Sequence, residues 1–169
     1  MITSIDARST KSKDLYRYLS DAVTPRPIAF VSSIDKKGNK NLSPFSFFNV
    51  FSIDPPVLVF SPVNRTRDNT SKDTLENVKD ISECVISLVT EEIAQQVSLA
   101  SCEFDSNVNE FEKAGLTEVK SECISPSRVM ESPINFECKV TQIISLGANG
   151  GAGNLVICEV LKIHIDNRV

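Results

Sequence analysis

Residues 135–146 and 154–165 constrain the fold more than any other part of this chain. Both are β-rich runs, and only the loop Gly147-Ala148-Asn149-Gly150-Gly151-Ala152-Gly153 separates them. Two such runs joined by a short glycine-rich connection predict one long antiparallel hairpin. In the second run Val156, Cys158 and Val160 fall on one face, and Leu155, Ile157, Leu161 and Ile163 on the other. Both faces are therefore expected to be covered, one of them by a second subunit. No helix follows the glycine-rich loop, so it reads as a hairpin turn rather than a phosphate cradle.

The upstream pattern is consistent with a sheet-rich fold. Leu15, Tyr18, Leu19 and Ala22 recur at helical spacing, which predicts a short packed helix over 12–22, ending before Pro25. Residues 27–34 are apolar and β-rich, and Asp35-Lys36-Lys37-Gly38-Asn39 predicts a turn into a second strand from Lys40. Asp54-Pro55-Pro56 blocks a helix, and 57–60 is apolar on both alternating faces, as a buried central strand would be. Leu75, Val78 and Ile81 predict a helix over 72–81 with Thr70 or Ser71 as its N-cap. Residues 84–89 read as another strand, and Thr90 with Glu91 and Glu92 is placed to cap a helix burying Ile93, Val97 and Ala100. Residues 103–133 show no pattern beyond a short helix around 108–114. About six or seven strands, mostly in hairpins, with two or three inserted helices, predict a mainly β antiparallel barrel rather than a βαβ layout. The 169 residues, 41% of them apolar, suit a single domain over 1–169 with a substantial core.

Several function classes lack their residues. The net charge is −4 and the 18 Lys and Arg are scattered, which argues against nucleic acid. The N-terminal segment is polar and no run reaches the roughly 18 apolar residues of a bilayer span, so neither a membrane partner nor export is expected. Five cysteines without a CxxC pair argue against a disulfide framework and a zinc site, and fit reduced thiols in a cytoplasm. His164 is the single histidine, which leaves a Ser-His-Asp hydrolase without its base. GxGxxG, GxxxxGK[ST] and HExxH are all absent. Any chemistry is then expected to come from a cofactor.

Three segments are candidates to hold one. Asn64-Arg65-Thr66-Arg67-Asp68-Asn69-Thr70-Ser71-Lys72-Asp73-Thr74 places three cations and several hydroxyls just ahead of a helix. That combination suits a phosphate, because helix N-termini offer free N–H donors and Arg and Lys add charge-assisted bonds. A solvated, capped loop fits the same spacing. In residues 41–52 four phenylalanines alternate with Ser and Asn, which suits the faces and polar edge of a planar ligand, or equally a core strand. Thr24-Pro25-Arg26-Pro27 fixes the direction of one arginine, toward an anion or toward a strand entry.

Taken in order, Thr24-Pro-Arg-Pro-Ile-Ala-Phe-Val-Ser-Ser, Asn41-Leu-Ser-Pro-Phe-Ser-Phe-Phe-Asn, Asp54-Pro-Pro-Val-Leu-Val-Phe-Ser and Lys72-Asp73-Thr74 resemble the flavin-reductase-like, FMN-binding split-barrel family. The resemblance runs from about Tyr16 to the last residue, and its specificity lies in the joint order of the motifs. It implies a homodimeric Greek-key split β-barrel holding FMN non-covalently near the dimer interface. By the same resemblance Ser43, Ser46, Phe47, Phe48 and Asn49 lie along the flavin and its ribityl chain, and Ser61 follows at the end of the central strand. Arg67, Lys72, Asp73 and Thr74 surround the phosphate, with Asp73 orienting its neighbours or capping the helix. Arg26 is carried over to the flavin edge or the phosphate. The implied activity is an NAD(P)H-dependent flavin reductase that passes hydride through FMN to a small-molecule acceptor, with no metal and no catalytic side chain. The alternative is an FMN-containing electron carrier or flavin-binding module reduced by a partner protein; a barrel without flavin is a third possibility. Family members usually carry a further segment beyond the position of Asn167-Arg168-Val169.

Overall fold

In the computed structural model, which describes all of residues 1–169, the chain begins with α1 (Ser12–Ala22) and β1 (Ala29–Ile34). It continues through β2 (Lys40–Phe45), β3 (Phe48–Ile53), β4 (Pro56–Phe60), α2 (Asp73–Ile81) and β5 (Glu83–Leu88). A 3₁₀ turn (Glu91–Ile93) leads into α3 (Ala94–Ala100), followed by α4 (Glu110–Ala114) and the short strands β6 (Glu118–Val119) and β7 (Arg128–Val129). The long strands β8 (Ile134–Ser145) and β9 (Asn154–Ile165) end the fold. Seven strands form one sheet in the order β2-β1-β5-β8-β9-β4-β3, and every neighbouring pair is antiparallel. The two edge strands, β2 and β3, are separated in sequence only by Ser46 and Phe47, yet they do not pair, so the barrel is split at this seam.

Local chemistry explains the hairpins. The Asp35 carboxylate accepts from the backbone N–H groups of Lys37 and Asn39, each at 2.8 Å, and Gly38 supplies the positive φ of +87° that closes the β1–β2 turn. β8 and β9 pair along their whole length, with irregularities at Glu137/Cys138 and Val140/Gln142 that bend the ribbon. The sheet curls because its inward faces share one core. Val31, Phe45, Phe60, Ile86, Val140 and Val156 pack there with Leu75 and Val78 of α2. β1 is buried on both sides: Ala29 and Val31 face this core, while Phe30 joins a second cluster with Leu42, Ile93, Val97, Phe111 and Val129. Each such fully buried large side chain stabilises the fold by about 1.5–3 kcal/mol.

The structure departs from expectation in particular places. α1 has the expected limits but buries no residue; Tyr16, Tyr18 and Leu19 are at least half exposed, because its apolar stripe faces a cavity rather than a core. The N-cap position of α2 is Lys72, with no side-chain cap. The Thr70 hydroxyl instead bonds Asp68 at 2.6 Å, and the Ser71 carbonyl is taken by Arg65. Thr90 likewise makes no capping bond. α1 precedes the sheet, and the helices inserted between strands are the three α2, α3 and α4, with α4 inside the 108–114 segment. β4 is deeply buried only at Leu58, Val59 and Phe60, with Pro56 exposed and Val57 half-buried. In the single chain the outer face of β9 presents Leu161, Ile163 and Ile165 about half exposed, which leaves the expected subunit contact on that face untested. All five cysteines are free, and Cys84, Cys138 and Cys158 lie buried in the barrel. No helix is long and apolar enough to cross a membrane.

Candidate functional site

The segment after β4 is tied to the β8–β9 loop rather than left as a free coil. Val63 bridges Gly153, Asn64 N–H donates to the Ala152 carbonyl at 2.9 Å, and Gly151 N–H returns a bond to the Asn64 carbonyl at 2.9 Å. Asn69, in the left-handed region at φ 58°, donates its side-chain amide to the Ala148 carbonyl at 2.7 Å. Gly150 is packed so closely that a Cβ there would meet Thr66 Cα at 3.0 Å and the Arg65 carbonyl at 3.1 Å. The expected hairpin turn is therefore also a wall: it shapes the loop that carries Arg65 and Arg67.

Two adjoining cavities open beside this loop and share Arg65, Lys72 and Glu103. The larger, about 640 Å³, lies between α1 and the 63–67 segment. Leu15, Tyr16 and Leu19 of α1 line it with Phe47 and Val63, and Arg65, Arg67, Lys72, Gly150 and Gly151 also contribute. Tyr16 and Phe47 face each other with ring centroids 6.3 Å apart, tilted by 52°. The smaller, about 50 Å³, is polar and sits at the start of α2, among Asn41, Ser43, Lys72, Asp73 and Thr74. The larger volume is in the range of small-molecule sites, roughly 300–1,000 Å³. Apolar walls at one part and clustered cations at another suit an amphiphile with an anionic end.

The cations are not equivalent. The Arg65 guanidinium bonds the Ser71 carbonyl, the Thr70 hydroxyl at 3.3 Å and Glu103 at 3.2 Å, which holds it at the junction of the cavities. Arg67 is largely exposed and pairs with Asp68 at 3.1 Å and Glu103 at 3.3 Å. Its bonds to Asp68 and the Glu103 charge raise its pKa further. The Asp68 carboxyl is drawn down to about 2, first by the Thr70 hydroxyl and backbone N–H. The Lys72 ammonium lies 5.4 Å from the Phe45 ring centroid. Burial and then the neighbouring Arg65 lower its pKa, partly offset by Glu103. Behind the smaller cavity the Thr74 hydroxyl donates to Asn41 at 2.6 Å, and Asn41 donates to Glu110 at 2.9 Å. Glu110 also accepts from Leu42 N–H at 3.1 Å, while burial pushes its carboxyl pKa up.

Of the residues singled out from sequence, Phe47, Arg67 and Lys72 line the larger cavity, and Ser43, Lys72, Asp73 and Thr74 the smaller. Ser61 lies beside them, its N–H bonded to the Phe47 carbonyl at 2.8 Å and its hydroxyl against Gly153. Ser46, Phe48 and Asn49 line neither: Phe48 packs on the barrel core, and the exposed Asn49 side chain bonds Val50 N–H at 2.8 Å. Arg26 is also outside; its guanidinium holds the carbonyls of Ser20 and Val23 at the end of α1. Arg65, one of the three cations of the 64–74 segment, lines both cavities, and Tyr16, Glu103, Gly150 and Gly151 are lining residues that sequence reasoning did not single out for a site. Their common property is convergence on the cavities from separate elements.

The fold is that of a split-barrel protein, with two adjoining cavities lined in part by Arg65, Arg67 and Lys72. The flavin reductase like domain model matches residues 21–169, and the chain belongs to that family of flavin-related oxidoreductases. An uncharacterized protein of Aquifex aeolicus is 44% identical over 162 residues, 96% of this chain and 80% of the relative. One from Halalkalibacterium halodurans is 44% identical over 159 residues, 93% of this chain and 76% of its own. Among solved structures, nitrilotriacetate monooxygenase component B from Bacillus cereus superposes with a TM-score of 0.93 at 31% identity, covering 99% of this chain and 83% of that one. The 2-nitrobenzoate 2-nitroreductase NbaA of Pseudomonas fluorescens gives 0.86 at 29% identity, over 98% and 78%.

Proposed function

We propose that this chain is an NAD(P)H-dependent, FMN-binding oxidoreductase of flavin reductase type, working in the cytoplasm as a homodimer. The observation that carries the reading is the larger cavity, which joins Tyr16 and Phe47 to Arg65, Arg67 and Lys72 in one space. FMN bound there would accept hydride from NAD(P)H and hand electrons to a small-molecule acceptor. The protein's part is binding and exclusion of water. Phe47 and Tyr16 supply the apolar cover, Lys72 and Arg65 the phosphate charge, and Ser43, Asp73 and Thr74 the polar surround at the start of α2. Arg26 serves the site indirectly, by holding the end of the helix that forms one wall. His164 is engaged with Glu137 at 2.7 Å and lines neither cavity, so the proposed reaction uses no histidine acid or base.

The test is spectroscopic. Purified protein reconstituted with FMN and mixed anaerobically with NADH or NADPH is expected to lose its flavin absorbance near about 450 nm. Absence of bleaching with both nucleotides would contradict the reductase reading, and fast bleaching only with a redox protein would favour an electron carrier.

The open faces of β3 and β9 support the dimer. Val50, Phe51 and Ile53 on one, and Leu161, Ile163 and Ile165 on the other, leave more large apolar surface bare than an isolated barrel favours. The solution mass is expected at twice 18.6 kDa. A monomer at micromolar concentration would remove this part of the proposal.

A further inference from the structure

Glu103, in the loop between α3 and α4, is the single acid among the residues lining the larger cavity. Its two carboxylate oxygens are divided between the arginines: Oε1 accepts from Arg65 Nε at 3.2 Å and Oε2 from Arg67 Nη1 at 3.3 Å. No other donor bonds it, and its side chain is 60% exposed. Asp68 differs, because its carboxylate is also fixed by the Thr70 hydroxyl at 2.6 Å and N–H at 3.0 Å and faces neither cavity. A carboxylate bridging two guanidiniums occupies the donors that a phosphate monoester would use.

We infer that Glu103 is a built-in competitor for the phosphate end of the ligand, and so sets the affinity and the anion selectivity of the site. This rests on the FMN reading above. A phosphate monoester carries more charge and one more acceptor oxygen than a carboxylate, so it displaces Glu103 from the guanidiniums. The exposed glutamate can swing into solvent at small cost, since exposed ion pairs contribute little. Once displaced, its charge remains near the phosphate and still weakens binding. A ligand without a phosphate gains nothing from this exchange.

The experiment compares FMN with riboflavin, which lacks the phosphate, on native protein, Glu103→Gln and Glu103→Ala, by fluorescence titration. Both neutral variants are expected to bind FMN about three- to tenfold more tightly than native at low ionic strength, with the gain shrinking at high salt. Riboflavin affinity is expected to stay within about twofold across all three, because it leaves the arginines alone. Unchanged or weaker FMN binding in both variants, or an equal change for riboflavin, would overturn the assignment. If native protein and variants all keep their thermal transitions yet bind neither flavin, the flavin reading itself falls and takes this inference with it. Tight riboflavin binding with no advantage for FMN would sink only the role given to Glu103 and its arginines.

Discussion

Lys72→Glu is expected to weaken FMN binding by about 2 kcal/mol or more, roughly thirtyfold in Kd, while leaving the barrel folded. The ammonium lies where the two cavities meet, at the start of α2, and it has no ion-pair partner of its own. Its pKa is already lowered by burial and by Arg65, so an arriving phosphate relieves a local excess of positive charge. Reversal does damage twice. It removes one attraction, and it places a carboxylate beside Arg65 that neutralises a second. Folding is spared because an acidic residue at a helix N-terminus favours the helix dipole. Isothermal titration with FMN and with riboflavin reads the effect, and an unchanged FMN Kd in a folded variant would remove Lys72 from the phosphate site.

The largest effect on stability is expected at Glu137, far from the cavities. Its carboxylate, in β8, is fully buried. It accepts from Glu122 N–H at 2.8 Å, Cys123 N–H at 2.7 Å and His164 Nε2 at 2.7 Å, with Arg128 at 3.9 Å. Glu137→Ala leaves two backbone donors and a ring nitrogen without their acceptor, and should cost about 3 kcal/mol, or about 6–12 °C in Tm. Burial raises the Glu137 pKa, but the two N–H groups and His164 outweigh it and hold the carboxyl below its ordinary value. A folded pKa below the unfolded value of about 4.3 means that this stabilisation is complete above that value and is lost as pH falls through the folded one. Glu137→Gln should therefore flatten the acid limb of stability against pH below about 5. Thermal melts from pH 7 down to pH 3 measure it, and equal acid slopes in native and Gln forms would refute the linkage.

Elements whose signals are local were legible. The Asp35 turn and the strand from Lys40 follow from side-chain-to-backbone bonds within five residues, and the 135–165 hairpin follows from β composition around a short loop. What each face meets was not legible. The stripe on α1 has the same period whether it covers a core or a cavity, and the outer face of β9 is as apolar as its inner one. The site shows the same limit. Lys72 and Phe47, from separate motifs, line the same cavity. Arg65 and Arg67, two residues apart in one polar stretch, cannot be ranked without the turn that holds Arg65 inward through Thr70 and Ser71. Gly150 was passed over because its role is steric and long-range, set by the backbone of Thr66. Glu103 sits in the part of the chain with the weakest periodicity, so only the folded arrangement brings it to the arginines.

The walls of the larger cavity differ in what anchors them. Phe47 sits at the barrel seam and the segment carrying Arg65 is tied to the glycine-rich loop through Asn64, whereas α1 buries no residue in either core. Detaching that helix sacrifices only its few apolar contacts across the cavity and the bonds at its end, while unseating the opposite wall would mean melting strands. On the flavin reading proposed above, α1 is the wall expected to yield when a ligand enters, and occupancy would supply the fastening that the helix otherwise lacks.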